Sequence, residues 1–262
     1  MTQEITSGGL EPPFDHEIES SKMSFTGHLK ELRHRIFYSV AGLIVGTLVC
    51  FSWAPELFDL LRQPLADIQK QEMIVIGPLE MFVTYLKIAV LAGLFLTSPW
   101  LLAQFWAFVS PGLYSKEKRW ALPFIFLGTL FFIAGGAFAF LVVLPMGFDY
   151  LVEMVPDTVD AQFSVAIYFT LVIRLLLAFG LVFELPLAMW ILSAAGIINP
   201  ETYKKGRKYW LVISVVLAAL LTPPDPFTQL MMATPLVVFF ELGILGAKML
   251  YREPDFEEPE EA

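Results

Sequence analysis

Trp106-Ala-Phe-Val-Ser-Pro-Gly-Leu-Tyr-Ser-Lys-Glu-Lys-Arg119 stands between two long apolar runs, roughly 80–108 and 120–144, and its reading decides the fold. Proline fixes φ and glycine admits backbone angles closed to other residues, so Pro111-Gly112 forces a turn. The turn ends the run behind it and presents Lys116, Glu117, Lys118 and Arg119 to water. Apolar runs of this length cross a lipid core of about 30 Å as helices. Lipid offers no partner to a backbone amide, so each span must satisfy its own hydrogen bonds. The fold class is therefore all-α, a polytopic membrane protein. A lone carboxylate among three cations is also a place where a cationic ligand can exchange for an internal partner.

The composition agrees. The chain of 262 residues is 56% hydrophobic and only 16% charged, against about 25% charged in ordinary soluble domains. Its net charge of −9 is misleading, because it comes from the ends. Residues 1–21 hold five acids and 253–262 hold six, with no Lys or Arg in either stretch. Of the 26 acidic residues 15 remain between these ends, against all 17 basic ones, which leaves a core of +2. Polar, proline-containing, acidic tails of this kind, 1–22 and 251–262, read as disordered; the body between them, 23–250, reads as one transmembrane domain. Nucleic acid is excluded as a partner.

Six spans follow from the apolar runs: about 36–54, 80–108, 120–144, 163–195, 209–222 and 227–249. The first starts 35 residues into the chain with no small-residue cleavage site behind it, so it reads as retained rather than as a removable signal. Pro99 predicts a kink in the second span, and Pro145 the end of the third. Ahead of the first span, 24–35 reads as an amphipathic surface helix with Phe25, Leu29, Leu32 and Ile36 in one stripe. Glu31 and Arg35 form an i,i+4 pair in the favourable order. Leu60–Leu65, containing Pro64, reads as a short interrupted helix in the first polar loop.

Orientation follows from the Lys and Arg count. One side of the membrane holds 13: Lys22, Lys30, Arg33 and Arg35; Lys116, Lys118 and Arg119; Lys204, Lys205, Arg207 and Lys208; Lys248 and Arg252. The other holds only Arg62 and Lys70. Both termini are thus expected in the cytoplasm. The fifth run has 14 residues, about 21 Å of helix, and four residues join it to the sixth. So short a limb implies local thinning of the bilayer, shelter against a partner, or simple tilting.

Polar residues inside the spans carry the functional signal. Glu184, in Phe179-Gly-Leu-Val-Phe-Glu-Leu-Pro186, is costly at that depth and is expected on a protein-facing or wet surface. Pro186 frees the carbonyl of Val182 and lets that turn bend. Arg174 lies ten residues before Glu184, about 15 Å along the helix and about 280° around it, so the two do not pair on one helix. Arg174, Lys87 and Glu241 are expected to snorkel, and Gln229 needs a hydrogen-bond partner. Cys50 alone makes neither a disulfide nor a thiolate metal site. No metal spacing, nucleotide loop or nucleophile motif occurs, so an enzyme is disfavoured and no cofactor is expected.

Four motifs then carry a resemblance. Phe25-x-x-His28-Leu-x-Glu31-Leu-Arg33-x-Arg35, Trp106-Ala-Phe108-x-x-Pro111-x-Leu-Tyr114-x-x-Glu117-x-Arg119, Phe179-Gly-x-x-Phe-Glu184-x-Pro186 and Leu221-Thr-Pro-Pro-Asp225 closely resemble the TatC family, the large subunit of the twin-arginine translocase. The resemblance covers about 22–250 in order. It implies six helices in a glove-like concave array, in a bacterial cytoplasmic membrane, that receive folded proteins by a signal peptide with consecutive arginines. It implies that Glu117 and Phe108 belong to the recognition site, with Glu31 and Arg33 beside them, and that Glu184 lines the concave face. Pro64 and Asp225 match outer-loop positions. The fifth helix and the sixth, with Gln229, would dock single-span TatA- and TatB-type partners in a hetero-oligomer of several copies. The chemistry is consistent, because the planar fork of arginine suits a carboxylate and stacks on a ring. The alternative is a proton- or ion-coupled secondary transporter using Glu184 and Arg174; the internal repeats usual in such folds are not evident.

Overall fold

The computed structural model describes residues 25–66, 73–109, 121–156, 158, 162–221 and 226–251. Both acidic tails, Tyr251 apart, lie outside these residues, as do Pro111, Lys116, Glu117, Lys118, Arg119 and Asp225. In chain order the helices are α1 (Phe25–Phe51), α2 (Ala54–Ala66), α3 (Glu80–Val109) and α4 (Ala121–Phe138). A π-helical turn (Ala139–Val143) then leads into α5 (Leu144–Glu153), followed by α6 (Val165–Ala194), α7 (Pro200–Leu221) and α8 (Pro226–Leu250). Among the described residues the only β pairing is an isolated parallel bridge between Ile74 and Ser164.

Among the described residues, five helical stretches are long and apolar enough to cross a membrane: Gly27–Phe51, Glu80–Phe108, Leu122–Glu153, Val165–Ala194 and Pro226–Leu250. α7 is long enough but less apolar, because its first turns carry Glu201, Lys204, Lys205, Arg207 and Lys208.

The helix bounds depart from the sequence reading in four places, each for a local reason. The fifth run, read as a short limb over 209–222, is the later part of α7, which Asn199 and Pro200 start nine residues earlier. The amphipathic stretch before the first span is no separate helix. Nothing between Arg35 and Ile36 interrupts the backbone ladder, and α1 runs unbroken from Phe25 to Phe51. The third long helix does not stop at Pro145. Proline lacks a donor and its ring crowds the carbonyl four residues back, and the ladder widens just ahead of it: Leu144 N–H donates to Ala139 O in a π turn, and the helix continues to Glu153. The interrupted helix around Pro64 extends over all of α2.

Pro99 is accommodated inside α3 by a different device. It removes the donor owed to the carbonyl of Phe95, and the Ser98 hydroxyl donates to that oxygen instead at 2.8 Å. At the far end of α6, Gly196 takes a positive φ of 68°. Its N–H reaches Ser193 O, that of Ile197 reaches Leu192 O, and the left-handed residue that glycine permits closes the helix. Asn199 Oδ1 then accepts from Glu201 N–H at 2.9 Å, and Pro200 begins α7.

α6 is the centre of the molecule. Half of its apolar window is buried within the chain, against 11% for α1. Tyr168, Phe169, Val172 and Phe179 are almost fully enclosed, and α6 packs on α3, α4, α7 and α8. α1 packs chiefly on α3 and turns Phe37, Val45 and Leu48 outward, toward lipid. Small residues set the approach of the helices, as is general where lipid removes the hydrophobic drive. A Cβ on Gly93 of α3 would lie 2.6 Å from Thr47 N of α1, and one on Gly135 of α4 would lie 2.4 Å from Phe179 O of α6.

Candidate functional site

The end of the α1–α3 pair at the start of α1 gathers His28, Glu31 and Arg35 of the first motif and Phe108 of the second. His28, Glu31 and Arg35 are spaced three and four apart and share one face of α1; Gln104 and Phe108, four apart, share one face of α3. The two faces meet. The His28 ring stacks on Phe108 with centroids 4.4 Å apart and planes 22° from parallel. Arg35 Nη2 donates to Glu31 Oε1 at 3.4 Å, and Arg35 Nη1 to Gln104 Oε1 at 3.3 Å. The remaining polar atoms of the pair, Glu31 Oε2 and Arg35 Nε, are buried and have no hydrogen-bond partner among the described residues. Gln104 is itself buried, 7% exposed, in the last turns of an otherwise apolar helix. Arg33 is exposed and lies about 200° around α1 from Glu31, so the structure does not bring it into this cluster.

Glu184 stands on α6 facing α3 and α4. A Cβ on Gly128 would come within 3.2 Å of Glu184 Oε2, 3.0 Å of Leu102 and 3.4 Å of Leu187. Its carboxyl thus sits over a glycine gap in α4, among apolar neighbours, and Oε1 is buried without a partner. Nearby, Trp106 is buried against Phe124 with ring centroids 4.8 Å apart, which ties the last turns of α3 to the first of α4.

Gln229, Glu241 and Lys87 have structural partners, while Arg174 is exposed on α6. Gln229 Nε2 donates to Val215 O at 3.2 Å and stitches α8 to α7. Glu241 is no solitary snorkelling acid: it binds Arg207 of α7 at 2.6 Å. Lys87 donates to Thr170 of α6 at 3.2 Å. Pro64 is buried in α2, one turn from Leu61, whose carbonyl accepts from the Tyr168 hydroxyl at 2.8 Å.

Two polar residues escaped the sequence reading. One is Gln104, whose signal was an amide in an apolar run. The other is Glu80, an acid just after Gly77-Pro78, where a carboxylate suits a helix start. Its Oε2 accepts from Ile76 N–H at 2.6 Å and Gly77 N–H at 3.0 Å. Its Oε1 accepts from the Ser164 hydroxyl at 2.9 Å and from Ala166 N–H at 2.7 Å. One carboxylate thereby joins the starts of α3 and α6, beside the bridge in which Ile74 N–H reaches Phe163 O and Val165 N–H reaches Ile74 O.

The arrangement has the chemistry of a cation receptor rather than of a reaction centre: a carboxylate and an aromatic ring at one end of a helix pair, and a second carboxylate along an apolar wall. The sequence and fold place similar proteins beside it. A family model described as Sec-independent protein translocase protein (TatC) matches residues 27–235. The Sec-independent protein translocase protein TatC of Desulforapulum autotrophicum is 43% identical over 246 residues, 93% of this chain and 91% of that protein. The TatC of Aquifex aeolicus is 36% identical and aligns over 88% of this chain and 97% of its own length. A crystal structure of the twin arginine translocase receptor TatC superposes with a TM-score of 0.78 at 35% identity, covering 86% of this chain and all of that one.

Proposed function

The chain belongs to the TatC family, and from that premise we propose that the inner end of the α1–α3 pair is where the consecutive arginines of a signal peptide are recognised. As a TatC protein it is a multi-pass membrane protein and a core subunit of the twin-arginine translocase. The family match favours protein translocation over the transporter alternative built on Glu184 and Arg174.

The observation that carries the proposal is the convergence of Glu31 and Phe108 from two helices far apart in sequence, with one Glu31 oxygen left unfilled. A guanidinium offers five donors in a planar fork and pairs best with both oxygens of a carboxylate. Its flat face also suits an aromatic ring. Glu117, at the end of the same motif as Phe108, supplies the second carboxylate for the second arginine. The apolar part of the leader then lies along the wall over Glu184. α7 and α8, held together by Gln229 and separated in sequence by the stretch that contains Asp225, take single-span TatA- and TatB-type partners in a hetero-oligomer of several copies. Pro64 shapes the outer loop. The working location is a bacterial inner membrane with both termini cytoplasmic.

The test is export by a reconstituted translocase together with photocrosslinking from positions 108 and 184. Glu117→Ala is expected to abolish export of a folded twin-arginine cargo while the protein still inserts, and probes at Phe108 and Glu184 to capture the leader. Full export by Glu117→Ala with undiminished capture of the leader would falsify the assignment.

A further inference from the structure

We propose that Arg35 and His28 are built-in stand-ins for the arginines of the leader: at rest Arg35 holds Glu31 and His28 covers Phe108, and the leader binds by displacing them. The inference rests on the reading of Glu31 and Phe108 as leader-binding residues and adds a self-occupied resting state to it.

The resting contacts are made to yield. Arg35 splits its fork between Glu31 Oε1 at 3.4 Å and Gln104 Oε1 at 3.3 Å and leaves Nε with no acceptor. Strong guanidinium–carboxylate pairs are two-pronged, with N–O distances of about 2.7–2.9 Å. Glu31 in turn has one buried oxygen with no donor. Both halves of the pair are under-used, so an incoming guanidinium that engages both Glu31 oxygens makes a better pair than the one it replaces.

The released group has somewhere to go. The Arg35 side chain is 32% exposed and that of Glu31 18%; a short rotation carries the guanidinium to the aqueous rim, where hydration replaces its two bonds. Exchanging one cation for another keeps Glu31 compensated at every stage. Leaving a shielded carboxylate bare is the costly alternative, since an uncompensated charge of this kind destabilises far more than a surface pair stabilises.

The imidazole of His28 makes the parallel argument at the ring. It lies on Phe108 at 4.4 Å and 22°, the offset-stacked geometry in which a planar guanidinium also lies on an aromatic face. His28 and Arg35 flank Glu31 on one face of α1, so both positions are filled from the same two turns of helix. The consequence is a threshold. A group that offers a single donor to Glu31 competes poorly with a resident guanidinium, whereas a fork that takes both oxygens wins. Weak cationic segments are thereby kept out of the acidic site.

Equilibrium binding of a fluorescent leader peptide, Arg-Arg and Lys-Lys versions, to the full chain in nanodiscs reads this out. Arg35→Gln is expected to tighten both peptides by the same factor, about two- to fivefold, the equilibrium worth of an ion pair of this exposure. Removing a resident competitor multiplies every affinity alike. Gln104→Ala, which loosens Arg35 without touching Glu31 and covers the case that Arg35→Gln does not fold, is expected to shift binding in the same direction. Glu31→Gln is the control. If Glu31→Gln weakens binding while Arg35→Gln and Gln104→Ala leave it unchanged or weaken it too, Arg35 positions Glu31 rather than standing in for the ligand, and the proposal is overturned with the binding site intact. If Glu31→Gln has no effect, the site itself is misassigned and the stand-ins fall with it.

Discussion

Glu184 shows what a single residue reveals in the sequence and what it withholds. A carboxyl inside an apolar span stands out against its neighbours whatever the fold, and its expectation of a protein-facing surface needed no structure. Its surroundings did not follow from spacing. The gap that receives it is Gly128 on another helix, and no periodicity within α6 points to a glycine in α4. The same limit hid Gln104: an amide near the end of an apolar run carries no mark of which neighbour it faces, and its partner Arg35 comes from a helix 69 positions away in sequence. At this scale the prediction concerns Glu184 Oε1, buried with no donor. Replacing an unsatisfied buried polar group by an apolar one removes a desolvation penalty of about 1–3 kcal/mol. Glu184→Leu is therefore expected to melt at a higher temperature than the parent in detergent, yet to transport less, a trade common where a site keeps a destabilising group. A lower melting temperature for Glu184→Leu than for the parent would mean that the carboxyl is structural.

Among elements, apolar runs announced where the long helices are, while their ends were set by short-range chemistry that run length cannot see. Pro145 looked like a terminator until the π turn ahead of it carried the helix on, and Pro99 survives because Ser98 takes the carbonyl it orphans. The joints between helices were less legible still. Glu80 bonds four donors drawn from the starts of α3 and α6. Glu80→Ala is expected to lower the melting temperature, as the loss of a helix cap does, and to speed hydrogen exchange at Ile76, Gly77 and Ala166 above that at the helix centres. Unchanged exchange at Ala166 would show that the clasp does not hold the two starts together. The α1–α3 contact makes a sharper test. A Cβ on Gly93 meets backbone atoms of α1, Thr47 N at 2.6 Å and Gly46 C at 2.9 Å, and backbone does not swing aside. Gly93→Ala is expected to destabilise by about 1–3 kcal/mol, as overpacking does. Gly206→Ala, which meets nothing within 4 Å, is expected to be neutral or better, since alanine suits a helix. Equal melting temperatures for the two variants would contradict the close approach.

At the scale of the whole molecule the arrangement is a buried α6 with the other long helices around it and a lipid-facing α1 attached to α3. Which helix sits at the centre was not legible, because α4 and α6 reach the same mean hydropathy of 2.4 and only packing separates them. Orientation is a separate question. It rests on a count of Lys and Arg that needs no contacts, and the structure adds sites at which it can be tested. The chain has one cysteine, Cys50, which is buried at 8% exposure, so an aqueous thiol reagent should pass it by. Leu79, just ahead of α3, is 69% exposed, and Lys205, in the basic first turns of α7, is exposed as well. The two lie on opposite sides if 13 of the basic residues face the cytoplasm. In intact cells a membrane-impermeant maleimide is expected to label Leu79→Cys and to leave Lys205→Cys untouched; in broken cells it should label both. Reversed labelling in intact cells would turn the molecule over. The inner-end cluster of Glu31, Gln104 and Phe108 would then face away from the compartment in which folded proteins are made, and no signal peptide could reach it before transport.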